Sequence, residues 1–287
     1  KEQFVEQFSE TNLAIKTALD VSYGTESVNK IDIYYHGDKA KRPAIMTVHG
    51  SGGDKAQQDW LAYEFTSWGY VAAPVNYKGA GDVGSAIKWL KANAADYGVD
   101  PDNIGVWGFS AGGRASAAKA LNPKKGEEVK AAVCVSGGTR SAVKLITASA
   151  PPFLLVTAEA DKNVNPQGSI DMHAKFKKVG VNSELILYPG RKHNEYKNHK
   201  PHFFAACKKL YNKYLGTPPA PALLETVEEE EEFMDASEEE FKEQFVEQVS
   251  ETNSAIKTAL DVSYGTESVN KIDIYYHGDK AKRPAIM

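Results

Sequence analysis

Apolar positions change their spacing along the chain in a regular way. Ile15, Thr17, Leu19, Val21 and Tyr23 fall on every second position. So do Ile31, Ile33 and Tyr35, whose run closes on the turn dipeptide Gly37-Asp38. Alternation of period two is the mark of a half-buried strand, and these two runs predict an antiparallel pair. Continuous apolar runs follow: AIMTV (44–48), YVAAPVNY (70–77), IGVWGF (104–109), AAVCVS (131–136), PFLLVTAE (152–159) and SELILYP (183–189). Helical spacing separates them at residues 55–67, 83–93, 111–120, 170–179 and 203–215. Phe4, Val5 and Phe8 predict one further short amphipathic helix at the start.

Strand–helix alternation with continuously apolar strands implies a mostly parallel sheet, eight-stranded here, flanked by helices on both faces. Such sheets bind ligands beyond the carboxyl ends of their strands. Residues that carry chemistry are therefore expected in the short loops that follow strands.

Four segments meet that condition. Gly108-Phe109-Ser110-Ala111-Gly112 is a G-x-S-x-G match between a predicted strand and a predicted helix. The sharp turn admits only small residues at Gly108 and Gly112 and leaves the serine hydroxyl exposed. Serine needs a base to become a nucleophile near neutral pH. Of the seven histidines, His193 follows the last strand, in LYPGRKH, within reach of Ser110. His36 and His277 fall at predicted strand ends away from this loop set, and His173 falls inside a helix. His199 and His202 read as surface residues, since the spacing His193-x5-His199-x2-His202 lacks the usual helical zinc pattern. A third group must orient the imidazole. Asp161, just after PFLLVTAE, fits that place, and Glu159 would still lie in the strand. The order Ser110, Asp161, His193 is that of α/β-hydrolases. HGSGG, after AIMTV, offers backbone N–H groups for an oxyanion at Ser51 or Gly52, beside the Ala111 amide at a helix start. His49 is expected to tie this loop down.

With these residues in place, the segment from about Ala14 to Leu215 resembles an α/β-hydrolase. It is most similar to the small esterases of the acetyl esterase, feruloyl esterase and dienelactone-hydrolase-like groups. The resemblance rests on KIDIYYHG (30–37), TVHGSGGDK (47–55), KWLKANAADYGVDPDNIGVWGFSAGG (88–113), DKNV (161–164) and LYPGRKH (187–193). It implies Ser110 as nucleophile, Asp161 as acid and His193 as base, with oxyanion donors at Ala111 and Ser51–Gly52. It implies a serine carboxylesterase, with neither a cofactor nor a metal. Hormone-sensitive-lipase-like esterases usually carry Asp where Phe109 stands and HGGG where HGSG stands. Dienelactone hydrolases proper use Cys where Ser110 stands. Only Gly137–Ala150 separates AAVCVS from the next strand, so little or no lid is expected, and an open site suits short acyl groups or an ester on a polymer or sugar. A peptidase or amidase on the same triad is an alternative, since the triad does not distinguish ester from amide. A non-catalytic module in a tandem protein is another.

Residues 1–46 recur at 242–287 with two differences, Phe8 against Val249 and Leu13 against Ser254. The expected organisation is a hydrolase domain at 1–215, a linker at 216–241 and the start of a second unit at 242–287. Ten acidic residues and no base lie between 225 and 240; without them the net charge of −4 becomes +6. Such a run reads as a solvated linker. The recurring segment raises the expectation of a homo-oligomer formed by swapping.

The remaining composition excludes more than it assigns. The 287 residues are 42% hydrophobic and 25% charged, which is ordinary globular usage. No basic surplus points to nucleic acid, and no apolar run approaches a membrane span of about 20 residues. Cys134 and Cys207 cannot make a disulfide framework and suit a reducing compartment. The opening KEQFVEQFSE has no basic start or apolar core of a signal peptide, which favours the cytoplasm as an expectation.

Overall fold

The alternating segments become strands and helices at the places their spacing dictates. The computed structural model describes residues 15–38 and 40–220, together with two strands at Ile256–Ser263 and Lys271–His277. The predicted helix at Phe4–Phe8 and the acidic run at 225–240 lie outside the described residues.

The strands are β1 (Ile15–Ser22), β2 (Lys30–His36), β3 (Arg42–Val48), β4 (Val71–Val75), β5 (Val99–Phe109), β6 (Ala131–Val135), β7 (Phe153–Ala158) and β8 (Ser183–Tyr188). They form one sheet in the order β1-β2-β4-β3-β5-β6-β7-β8. β1 pairs antiparallel with β2, and β2 with β4; every later pairing is parallel. The helices are α1 (Asp59–Ser67), α2 (Ala80–Ala92), α3 (Ala111–Leu121), α4 (Arg140–Leu145), α5 (Gln167–Lys178) and α6 (Lys200–Leu215). α4 was not anticipated. Its six residues are too few for periodicity to show, and its start is set by Thr139, whose hydroxyl accepts the Ala142 N–H. The connection from β6 to β7 holds only this short helix, in keeping with the absence of an inserted lid expected there.

Successive strand residues point to opposite faces, so the sheet makes two cores. Met46, Val48, Val106 and Cys134 pack with Ile87, Ala117, Met172 and Phe176 of α2, α3 and α5. Ile45, Trp107, Val133 and Val156 pack with Leu61, Phe65, Phe203 and Tyr211 of α1 and α6. Trp107 is fully buried, as is Cys134, whose thiol is pushed up to about 12 by burial. The domain does not stop at Leu215. The carbonyl of Pro219 accepts from the Arg42 guanidinium, and Pro218 lies over Gly69.

The chain divides into two compact units, Lys1–Thr226 and Val227–Met287. In the second, β9 (Ile256–Ser263) and β10 (Lys271–His277) pair antiparallel, with Ser263 opposite Lys271 and Ile256 opposite His277. β1 and β2 pair in the corresponding register, Ser22 with Lys30 and Ile15 with His36. Even the register shift between Ala18 and Val21 recurs in β9.

Candidate active site

β5 ends at Phe109 and α3 begins at Ala111, so Ser110 must turn the chain by itself. It does so at φ 55°, ψ −117°, outside the ordinary regions for a residue with a Cβ. The turn is held by the Ser110 N–H donating to the Val135 carbonyl at 2.8 Å and the Arg114 N–H donating to the Ser110 carbonyl at 3.0 Å. Space explains the flanking glycines. A Cβ at Gly108 would lie 2.4 Å from the Gly112 carbonyl oxygen, and one at Gly112 would lie 2.2 Å from that of Val48. α3 therefore starts directly against the end of β3.

His193 Nε2 lies 2.9 Å from Ser110 Oγ, and His193 Nδ1 lies 2.7 Å from Asp161 Oδ2. The Asp161 side chain is fully buried. Its other oxygen accepts the N–H groups of Asn163 at 2.8 Å and Val164 at 2.9 Å, which fixes the carboxylate plane. Glu159 is committed elsewhere: its carboxylate accepts the Gly190 N–H at the turn after β8. That turn also carries the Ala160 N–H bond to the Arg191 carbonyl. The loops after β7 and β8 are thus tied together just before Asp161 and His193 meet. The Phe109 ring packs on the His193 imidazole at 4.9 Å and on Tyr196 at 5.4 Å.

The loop after β3 completes the cleft. A Cβ at Gly50 would lie 3.5 Å from the Ser110 Cβ, so the loop passes close to the serine there. Gly50 and Ser51 line the cleft, whereas Gly52 is exposed at φ 71° and stands outside the lining. Ala111 lines it as well, as the first residue of α3, where helix N–H groups have no partner within the helix. His49 serves the loop as structure: its ring packs on Tyr77 at 4.9 Å, and the Tyr77 hydroxyl donates to the His49 carbonyl at 2.9 Å. Further along, Lys55 Nζ sits 2.7 Å from Asp32 and 2.8 Å from Asp20, pinning the loop to β2 and β1.

The cleft has a volume of about 580 Å³ and lies open beside Ser110. Its wall is largely polar: Gln57, Gln58, Arg114, Asn163, Asn194 and Lys197. Of these six, only Asn163 belongs to a segment that the sequence motifs bring forward. Gln57 and Gln58, Asn163, and Asn194 and Lys197 follow β3, β7 and β8 respectively, so the strand-end rule was the signal that could have found them. Gln58 is almost wholly buried, and its Oε1 has no hydrogen-bond partner among the described residues. Of the other histidines, His36 bonds the Thr66 carbonyl and His173 bonds Ser183. His199 departs from the surface reading: it is half-buried and stacked on Tyr188 at 4.6 Å. Among the described residues no cluster suited to a metal ion occurs.

Sheet order, elbow and converging strand-end loops give the chain the α/β-hydrolase fold. The BD-FAE family model matches residues 31–133, and the model of the prolyl oligopeptidase family matches residues 138–218. Esterase LipQ of Mycobacterium tuberculosis is 32% identical over 120 residues, covering 36% of this chain and 28% of the relative. A protein named "Probable dipeptidyl-aminopeptidase B" from Podospora anserina is 25% identical over 248 residues, covering 67% of this chain and 26% of the relative. The chain thus spans little more than a quarter of either relative. Among solved structures, an esterase from Thermogutta terrifontis superposes with a TM-score of 0.61 at 20% identity, covering 74% of this chain and 96% of that one. The same esterase 2 has been solved phosphorylated by paraoxon. No helix among the described residues is long and apolar enough to cross a membrane.

Proposed function

We propose that the chain is a serine carboxylesterase acting on short-acyl esters, with Ser110 as nucleophile, His193 as base and Asp161 as the residue that orients the base. The observation that carries this is the continuous chain of contacts from Ser110 Oγ to His193 Nε2, and from His193 Nδ1 to a buried Asp161. Ser110 attacks the ester carbonyl as His193 takes its proton. Negative charge develops on the carbonyl oxygen beside the Ala111 N–H and the backbone at Gly50–Ser51. His193 then protonates the departing alcohol, and a water, activated by the same imidazole, releases the acid from the acyl-enzyme. The short acyl preference follows from an open, polar cleft that offers no long apolar tunnel. The unpartnered amide oxygen of Gln58 favours a substrate with polar hydrogens to offer.

A peptidase on the same triad is the second reading. It is favoured by the prolyl oligopeptidase family match, which spans both Asp161 and His193. Hydrolysis of p-nitrophenyl esters from acetate to palmitate, set beside dipeptide p-nitroanilides, decides between them. The esterase reading expects turnover falling steeply beyond short acyl chains, none with anilides, and a loss of at least about 10³-fold in Ser110→Ala. Anilide cleavage that exceeds ester cleavage replaces it with the peptidase. No turnover of either, and no labelling of Ser110 by a fluorophosphonate, removes both.

A further inference from the structure

The cleft wall is charged in one sense only. Arg114 and Lys197 line it, and among the described residues no carboxylate does. Neither cation takes part in an ion pair among those residues. Elsewhere on the domain, lysines do find acids: Lys55, Lys78, Lys91, Lys119 and Lys209 each pair with one. Both cations stand on elements that carry the reaction. Arg114 is in the first turn of α3, four residues after Ser110. Lys197 is four residues after His193, and its ammonium lies over the Trp60 ring, 5.6 Å from its centre. The remaining polar lining is amide: Gln57, Gln58, Asn163 and Asn194 can bond hydroxyls but add no charge.

We infer that the cleft selects esters carrying a carboxylate, with Arg114 and Lys197 as the residues that recognise the charge. This rests on the esterase reading above. Recognition falls chiefly on the alcohol side. The leaving oxygen must lie within reach of His193 Nε2 to receive its proton, and Lys197 belongs to the segment that follows that histidine. Arg114, with a planar fork of donors, suits a bidentate carboxylate contact, whereas Lys197 acts as a point charge. Part of each cation is in water, so the preference is moderate and sensitive to salt.

The test compares 3-acetoxybenzoate with neutral 3-acetoxybenzamide, each rate being divided by its hydroxide-catalysed background. The expected result is a preference for the carboxylate of about tenfold in kcat/KM at low salt, seen mainly in KM, shrinking toward unity as ionic strength rises. Arg114→Gln and Lys197→Gln each reduce the ratio, and the double charge reversal Arg114→Glu/Lys197→Glu inverts it. Lys178→Gln, on an exposed helix end away from the cleft, leaves the ratio as it was. Equal rates for both esters in the unaltered protein, or a preference that survives the double reversal, overturn the inference while leaving the esterase intact. Failure to hydrolyse either ester, with Ser110 unreactive toward a fluorophosphonate, removes the esterase reading beneath it as well.

Discussion

Phe109 lies with its ring 4.9 Å from the His193 imidazole, inclined at 43°. The same ring touches the loop after β3, since a Cβ at Gly50 would come within 3.0 Å of its Cδ1. One side chain inside the G-x-S-x-G turn therefore braces both the imidazole and the loop facing the serine. Phe109→Ala is expected to lower kcat for p-nitrophenyl acetate by roughly tenfold or more by loosening that geometry, with Phe109→Leu recovering part of the loss. Steady-state kinetics on the two variants, with KM and kcat separated, checks this. A change in KM alone would assign the ring to binding instead.

Gly112 is required by space. Its missing Cβ would stand 2.2 Å from the Val48 carbonyl oxygen and 2.3 Å from that of His49, both backbone atoms with no room to yield. Gly112→Ala is expected to destabilise the domain by about 2–3 kcal/mol or more. Urea denaturation followed by tryptophan fluorescence reads it directly, and an unchanged midpoint would contradict the packing described.

Lys55 and Asp32 are a second such dependency. Their side chains are 11% and 5% exposed and lie 2.7 Å apart, with Asp20 as the outer partner. Lys55→Met strands a buried carboxylate, at an expected cost of about 3–5 kcal/mol. Adding Asp32→Asn to that variant should restore a good part of it. A double variant no more stable than the single one would show that the lysine acts through packing alone.

The Lys119–Glu127 pair makes stability depend on pH. Burial tends to raise the Glu127 pKa, but hydrogen bonds from Lys119 and the Lys124 N–H, with the charges of both lysines, lower it more, and the net is downward. A carboxylate held below its unfolded value contributes stability that is complete above that value, about 4.3 for Glu, and is lost as pH falls through the folded value. The expected outcome is a melting temperature that declines below about pH 4.3 in the unaltered protein and declines less in Glu127→Gln. Parallel curves would show that other carboxylates carry the acid transition.

Much of this protein was legible before any coordinate. Strand and helix periods depend on which face of a local element meets the core, so β1 to β8 and the five longer helices could be read from spacing. The site could be approached because parallel sheets confine chemistry to strand ends, which brought forward Ser110, Asp161 and His193, three residues whose side chains the folded chain sets within hydrogen-bond distance of one another. Other matters needed the assembled chain. α4 is set by a single capping hydroxyl at Thr139 and carries no period of its own. Glu159 was expected within the strand, but β7 ends at Ala158, and it is the turn at Gly190 that engages the Glu159 carboxylate. The loop after β3 offered Ser51 and Gly52; that Gly50 also comes close to Phe109 and Ser110 follows only from how the loop lies against the elbow. Arg114 and Lys197, 83 residues apart in sequence, share a cleft wall only once α3 and the turn before α6 are placed on the sheet. Local pattern encodes what each segment buries; the charge of a cleft is a property of distant segments brought together, and tertiary packing alone determines it.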